Sequence, residues 1–161
     1  MATIVVEDGT GKTNSNSYIS AADLDTYATD RGVTIAGTKE ILLIQAMDYI
    51  EAQNFKGVKG TDAQALQWPR YGVSIDGYPV GSDEIPQLLI DALAEVAIGI
   101  DGGTNPLANE GRTTKKEKVD VIEVEYMDGG LTTTWLTAAE TKLEKLIQAG
   151  ARGFSAVAIR G

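Results

Sequence analysis

The stretch from Ile41 to Arg70 constrains the fold more than any other part of the sequence, because a helix pattern runs directly into a compact elbow. Its first half places apolar residues at helical spacing and keeps charged residues off the apolar stripe, which is typical of an amphipathic helix. The stripe consists of Ile41, Leu42, Ile44, Met47, Ile50 and Ala52. We therefore predict a helix that is capped by Thr38 and ended by Gly57 and Gly60.

The second half of this stretch predicts a segment that folds back on the helix. Asp62 is the expected cap of a very short helix that runs through Gln67. That helix must end there, because Trp68 precedes Pro69 and a residue before proline is biased toward extended geometry.

Two large apolar residues, Phe55 and Trp68, are the expected anchors of the elbow in the core. We interpret Arg70 as a structural clamp that pairs with a carboxylate or stacks on an aromatic ring, and an intersubunit contact is the alternative. The predicted structural motif is therefore Phe55, Gly57, Trp68, Pro69 and Arg70.

Composition excludes several chemistries. The chain has 161 residues, enough for one domain with a core, and its hydrophobic content of 43% is ordinary for a globular protein. It contains no cysteine and no histidine, which removes disulfides, thiolate metal sites and the commonest general base. No apolar run reaches membrane-spanning length, and no secretory signal is seen at the N-terminus.

The net charge of −9 is unevenly distributed. Residues 1–100 hold 6 Lys+Arg and 14 Asp+Glu, giving −8, whereas residues 101–161 hold 8 and 9, giving −1. An acidic body is a poor platform for a phosphate backbone, since such binding depends on counterion release by lysine and arginine.

The N-terminal region predicts an extended arm at residues 3–7, a glycine-rich loop and a helix over Ala21–Arg31 that is capped by Ser20. The Gly11-Lys12-Thr13 triplet lacks the earlier glycine of a phosphate-binding loop, so we interpret it as an ordinary loop. Further along, Asp76-Gly77 predicts a hairpin turn.

The run from Pro86 to Ile100 is apolar around almost its whole circumference, with Gln87, Asp91 and Glu95 as one polar line. Such a helix is buried on most sides. It is either the central helix of the fold or a helix packed against a neighbouring subunit.

The C-terminal part predicts a linker over residues 101–117, a strand over 118–126, a return strand over 131–137 and a helix that ends near Ala149. Thr137 and Glu140 form a capping-box pattern at the start of that helix. The last residues carry Phe154, Val157 and Ile159, which either add a strand to a partner's sheet edge or return beside the chain's own strand.

No group of residues predicts catalysis or a cofactor. The carboxylates Asp23, Asp25 and Asp30 lack calcium-loop spacing and are interpreted as a solvated helix face. Glu123 and Glu125 alternate with apolar residues as the wet side of a strand. We therefore predict no enzymatic activity, no metal and no cofactor.

Several motifs carry a family resemblance: DGTG followed by NSYIS, then A-x-D-Y-I, F-K-G, Q-A-L-Q-W-P-R-Y-G-V and I-P-x-x-L-I-x-A. Together they resemble the head-tail connector (adaptor) proteins of tailed bacteriophages, a family also labelled DnaT-like single-strand-binding proteins. The matching positions are Asp8, Gly9, Asn16, Ser17, Tyr18, Ala46, Asp48, Tyr49, Phe55, Gly57, Gln64, Ala65, Leu66, Trp68, Pro69, Arg70, Gly72 and Ile85 to Ala92.

The resemblance implies a virion protein, made in the host cytoplasm, that forms a ring of about twelve subunits at the head-tail interface. Its implied partners are the portal protein, a tail-completion or stopper protein and copies of itself, while DNA passes through the channel without specific binding. The acidic surface would repel that DNA. The residues expected to dock on a partner are Phe154, Val157, Ile159 and Arg160.

The fold class that we predict is mainly α, a bundle of about four helices with a small β-hairpin and an extended C-terminal arm. Residues 1–100 form the helical core with its N-terminal arm, and residues 101–161 hold the linker, hairpin, short helix and docking tail of the same domain.

The alternative function is single-stranded DNA binding, which predicts a basic groove with stacking aromatic residues. The chain offers ten aromatic residues and dispersed lysines and arginines. The closest approach to a basic patch is the set Arg112, Lys115, Lys116 and Lys118.

Overall fold

The computed structural model describes residues 2–107, 117–119, 122–124 and 134–148, with side chains described for residues 2–107 and 137–148. Within these residues the chain forms four helices and three two-stranded antiparallel sheets. The predicted number of helices and the presence of a small hairpin agree with these elements, and the bundle arrangement stays a prediction. The predicted C-terminal arm lies outside the described residues.

The first two helices agree with the sequence patterns. Helix α1 covers Ala21–Thr29 and begins with a capping box, in which Ser20 and Asp23 each accept the other's backbone N–H. Helix α2 covers Lys39–Glu51. Thr38 occupies its N-cap position, but the Thr38 side chain makes no capping hydrogen bond in the described structure.

Helices α3 (Gln87–Asp101) and α4 (Thr134–Glu144) complete the helical part. Helix α3 packs against α2 on one side and against α4 on another, so its apolar circumference is covered largely by its own chain. Its fully buried positions are Leu89, Ala92, Leu93, Ala94, Val96 and Ala97. Of the two alternatives for this helix, the central position is correct.

The elbow is built from turns and not from the short helix predicted between Asp62 and Gln67, so that prediction is wrong. The buried side chain of Gln64 explains the difference. Gln64 Oε1 accepts the N–H of Thr61 at 2.8 Å, and Gln64 Nε2 donates to the carbonyl oxygens of Leu66 and Pro69 at 2.9 and 3.1 Å. A helix of one turn is costly to nucleate, and the amide side chain offers the backbone other hydrogen bonds.

Two small hairpins lie on either side of Gly72. Strands β1 (Val58–Lys59) and β2 (Arg70–Tyr71) pair with each other, as do β3 (Ser74–Ile75) and β4 (Tyr78–Pro79). The second hairpin was predicted from Asp76-Gly77, and these two residues have φ angles of 51° and 87°, as a two-residue type I′ turn requires.

The C-terminal part departs from the predictions in three ways. Strands β5 (Glu117–Val119) and β6 (Ile122–Val124) pair as a hairpin, where one continuous strand was expected. The return strand is wrong, because α4 already begins at Thr134. Thr137 therefore lies inside the helix and not at a capping box. Burial of Ala139 and Leu143 favours the earlier helix start and outweighs the β-propensity of the preceding threonines.

Candidate functional site

The elbow rests on two aromatic side chains in the core. Phe55 and Trp68 are 1% and 0% exposed, and their rings meet edge to face with centroids 5.9 Å apart. The peptide bond between Trp68 and Pro69 is cis. Both side chains belong to the buried core that the helices share, and they anchor the elbow there.

Arg70 holds the elbow together from the inside. Its Nε donates to the carbonyl oxygen of Lys56 at 2.7 Å, its Nη2 to that of Gly57 at 2.8 Å, and its Nη1 to Gln67 Oε1 at 2.8 Å. Burial lowers the pKa of the Arg70 guanidinium from its ordinary value. Because the protein's own oxygen atoms occupy these donors, Arg70 orders strand β2 and is not presented to solvent.

A buried tyrosine–glutamate pair connects the elbow to α2. Tyr18 Oη donates to Glu51 Oε1 and accepts the backbone N–H of Trp68 at 3.2 Å. Glu51 Oε2 accepts the N–H of Gln67 at 2.8 Å. Desolvation raises the pKa of the Glu51 carboxyl and, together with the Glu51 charge, raises the pKa of the Tyr18 hydroxyl well above its usual range. The elbow therefore has one fixed position relative to α2.

The outward side of this rigid base carries apolar and aromatic side chains. Val58 and Tyr71 are opposite each other on β1 and β2, and they are 64% and 51% exposed. Opposed residues of an antiparallel pair project from the same face. Tyr78, on the neighbouring hairpin, is 78% exposed. We call these three residues the hairpin surface.

Lysine side chains border the hairpin surface. Lys56 lies two residues before Val58, and Lys145 Nζ is 2.6 Å from a carboxylate oxygen of Asp76 at the turn that leads to Tyr78. Lys59 is opposite Arg70 on the other face of the β1–β2 pair, and its Nζ donates to the carbonyl oxygen of Gln64 at 3.2 Å. Lys56 Nζ donates to the carbonyl oxygen of Lys145 at 2.7 Å. An ammonium group has three donors, so such a contact leaves donors for an external anion.

The local charge differs from the average of the chain. Residues 53–80, which include all three residues of the hairpin surface, contain Lys56, Lys59 and Arg70 against Asp62 and Asp76, a net charge of +1, whereas residues 1–100 as a whole carry −8. Lys145 adds a further positive charge beside Asp76. The hairpin surface therefore lies in the locally cationic part of an acidic body.

The glycine-rich N-terminal loop has a different role from the phosphate-binding loop that its Gly11-Lys12-Thr13 triplet suggests. The buried carboxylate of Glu7 lies inside it. Glu7 Oε1 accepts the N–H groups of Gly9 and Gly11 at 3.0 and 2.9 Å, and Oε2 accepts the N–H of Lys12 and the hydroxyl of Ser15 at 2.8 and 2.9 Å. The loop thus encloses an anion that the chain itself supplies, and this agrees with the interpretation of an ordinary loop.

The predicted structural motif is brought together in the elbow, whereas the predicted docking residues cannot be placed. Gly57 has a φ of 70°, and a Cβ there would lie 2.1 Å from the carbonyl oxygen of Tyr71, so glycine is required beside β2. The docking set Phe154, Val157, Ile159 and Arg160 lies outside the described residues, as do the side chains of Arg112, Lys115, Lys116 and Lys118.

Sequence reasoning missed Tyr71 and Tyr78 as surface residues. For Tyr71 the available signal was the alternation of side chains along a strand, since inward Arg70 implies outward Tyr71. For Tyr78 the available signal was its position directly after the hairpin turn at Asp76-Gly77. Among the residues described, no cluster of three potential metal ligands is present, and no helix is long and apolar enough to cross a membrane.

Comparison with known proteins gives a family for the whole chain. The sequence model of the family described as "Putative DnaT-like ssDNA binding protein" matches residues 2–161. No match was found among curated proteins, and none among solved structures. The connector-ring function, which was predicted from the resemblance, is wrong, because the matching family is described by single-stranded DNA and not by a portal contact. The partner proteins and the virion location stay predictions. The chain belongs to the family of DnaT-like ssDNA-binding proteins.

Proposed function

We propose that this protein binds single-stranded DNA on the hairpin surface, without catalytic turnover. The observation that carries the proposal is the exposure of Tyr71 and Tyr78, at 51% and 78%, in the locally cationic part of the chain. The family description supports the choice of ligand.

The two tyrosines supply the part of the binding that is specific for unpaired bases. Exposed aromatic rings stack on the faces of nucleobases, each stack contributing about 1–3 kcal/mol, and a base is free to stack on protein only outside a duplex. Because the base of the elbow is rigid, Tyr71 loses little conformational freedom on binding. The same surface should accept any base sequence, since every base has a π-face.

The lysines supply the electrostatic part. At physiological ionic strength the screening length is about 8 Å, so a bound phosphate responds to Lys56 and Lys145 more than to carboxylates on distant helices. With about two phosphate contacts, the affinity for a single strand should fall with salt with a log–log slope of about −1.4. Net repulsion by the acidic body keeps this binding weak.

Fluorescence anisotropy with a labelled oligo-dT of about 20 nucleotides tests the proposal, since that length exceeds the site of one compact module. Tyr71→Ala and Tyr78→Ala should each weaken binding by about five- to hundredfold, and the corresponding Phe variants should bind like the native chain. Ile41→Ala is the matched control, because Ile41 is also an exposed apolar residue, at 49%, but lies on α2.

Two further measurements can contradict the proposal. A duplex of the same length should bind more weakly than the single strand, and Lys56→Gln should reduce the magnitude of the salt slope by about 0.7. Oligonucleotide binding that is unchanged in the double variant Tyr71→Ala/Tyr78→Ala would exclude the hairpin surface, and absence of binding at low salt would exclude the function.

A further inference from the structure

A groove of about 380 Å³ between α1 and α3 combines an apolar floor with an acidic rim. Ile19, Tyr27, Ile90 and Ala94 line its floor, and Asp23 and Asp30 line its edge. We propose that this groove receives the C-terminal segment of the same chain, residues 151–161, which we call the tail. This inference does not depend on DNA binding.

The charge of the groove favours a cationic occupant. Arg31 also lines it, with its guanidinium carbon 3.4 Å from the centroid of the Tyr27 ring and its Nε 4.0 Å from Glu95 Oε1. Lys142 Nζ is 3.2 Å from the same Glu95 oxygen. Glu95 is therefore compensated, whereas Asp23 and Asp30 form no salt bridge with another described residue.

The neighbouring helix face adds to this negative charge. Asp91, one turn before Glu95 on α3, accepts a hydrogen bond from Gln87 Nε2 at 2.8 Å and also forms no salt bridge within the described part of the chain. Asp23 and Asp30 thus border the apolar floor, Asp91 lies on the adjacent helix face, and none of the three forms a salt bridge with another residue that the structure describes. A peptide that carries both apolar and positively charged side chains fits this chemistry.

The tail has that composition. It contains Arg152 and Arg160 and no acidic residue, and its apolar residues are Phe154, Val157 and Ile159. Two stretches of nine residues also lie outside the described residues. Residues 108–116 are cationic but contain no apolar side chain larger than alanine, and residues 125–133 contain Tyr126, Met127 and Leu131 but carry two acidic residues and no basic one. An apolar floor with an acidic rim therefore selects the tail over both.

The tail is tethered to the last described residues of the same chain. Gln148 is fixed beside the elbow, where its backbone N–H donates to the carbonyl oxygen of Asn54 at 2.9 Å. Thirteen residues follow it and span at most about 43 Å when extended. A tether of this length gives the tail a millimolar effective concentration at the groove, so a weak contact is enough to keep the groove occupied.

Disulfide formation in the full-length chain tests the proposal directly, because the native sequence has no cysteine. The test pair is Thr26→Cys, at the groove, with Ser155→Cys in the tail. The control pair combines Ser155→Cys with Gln45→Cys, since Gln45 is exposed on α2 and does not line the groove. Under mild oxidation the test pair should form an intramolecular disulfide about tenfold faster than the control pair.

Charge reversal provides the second arm. Asp30→Lys should slow disulfide formation in the test pair, and adding Arg160→Glu should restore part of the rate. Asp30 is exposed, so the variants should fold, and a thermal unfolding curve checks this. Equal rates in the test and control pairs, mainly dimeric product, or a rate unaffected by Asp30→Lys would each overturn the proposal.

Discussion

The substitution Glu7→Gln isolates the contribution of the carboxylate that organises the N-terminal loop. The two Glu7 oxygens accept three backbone N–H groups and one hydroxyl at 2.8–3.0 Å, and the side chain is only 2% exposed. Glutamine preserves the size of the side chain but replaces one acceptor oxygen with an NH₂ group. If the remaining oxygen still accepts the N–H groups of Gly9 and Gly11, the new NH₂ group of the glutamine faces the N–H of Lys12.

The expected loss of stability follows from these contacts. The Ser15 hydroxyl can rotate and accept from the new amide, so its hydrogen bond is retained in weaker form. The N–H of Lys12 has no comparable adjustment, and an unsatisfied buried donor costs about 1–3 kcal/mol. The other hydrogen bonds lose the assistance of the charge, about 0.5–1 kcal/mol each. We expect Glu7→Gln to lower the free energy of unfolding by about 2–5 kcal/mol in total.

Urea denaturation followed by circular dichroism measures this change, provided that the m-value is unaltered. Asp8→Asn is the control, because Asp8 is the adjacent carboxylate but is exposed, and its contacts with Thr10 and Lys12 lie in solvent. A Glu7→Gln variant as stable as the Asp8→Asn control would refute the reasoning, since it would mean that the enclosed carboxylate can be replaced without leaving a donor unpaired.

Three further predictions concern the elbow. Trp68→Ala should lower the free energy of unfolding by about 3–5 kcal/mol, and Trp68→Phe by clearly less, because the indole N–H has no hydrogen-bond partner among the described residues; thermal melts compare the two. Arg70→Lys should cost about 2–4 kcal/mol in urea denaturation, since lysine cannot reproduce a planar set of donors to several oxygens. Desolvation raises the pKa of Glu51 in the folded state. The contribution of Glu51 to stability is therefore greatest below the pKa of the unfolded state and is lost as pH rises through the pKa of the folded state. Between pH 4 and 8, the Glu51→Gln variant should lose less stability toward neutral pH than the native chain, and identical pH profiles of unfolding would contradict a raised pKa at Glu51.

The parts of the fold that the sequence predicted are those with local signals. Helix α1 follows from the capping residue Ser20, and the second hairpin follows from Asp76-Gly77, which fixes two positive φ angles in adjacent residues. The turns around Gln64 were not predictable in this way. Their hydrogen bonds depend on the Gln64 side chain, which becomes buried only when Pro69 lies next to it. No local sequence pattern predicts that contact between Gln64 and Pro69.

The first residue of α4 was also not predictable from the local sequence. A run of threonines favours a strand by propensity, and a helix forms there because Ala139 and Leu143 are buried in the core while α4 packs against α3. Packing of this kind joins residues far apart in the chain. Periodicity within one segment can show that an apolar face exists, but it does not show where the helix begins.

Net charge is a poor guide to binding at one surface of a folded chain, and the proposed function depends on this point. A net charge of −9 describes the whole chain, whereas a phosphate group responds to charges within about one screening length. Folding brings Lys145 from α4's C-terminal end to the hairpin turn at Asp76, more than sixty residues away in sequence, and Lys56 Nζ donates to the carbonyl oxygen of Lys145. A weak polyanion site can therefore exist on an acidic protein, and the sign of the local charge, not the total, decides whether stacking on the tyrosines is opposed.

The same change of net charge should therefore have different effects at different places. Lys56→Gln should weaken oligonucleotide binding, while Lys39→Gln, which removes a lysine paired with Asp25 between α2 and α1, should leave it almost unchanged. Equal losses in the two variants, measured by anisotropy at one ionic strength, would show that the total charge governs binding after all.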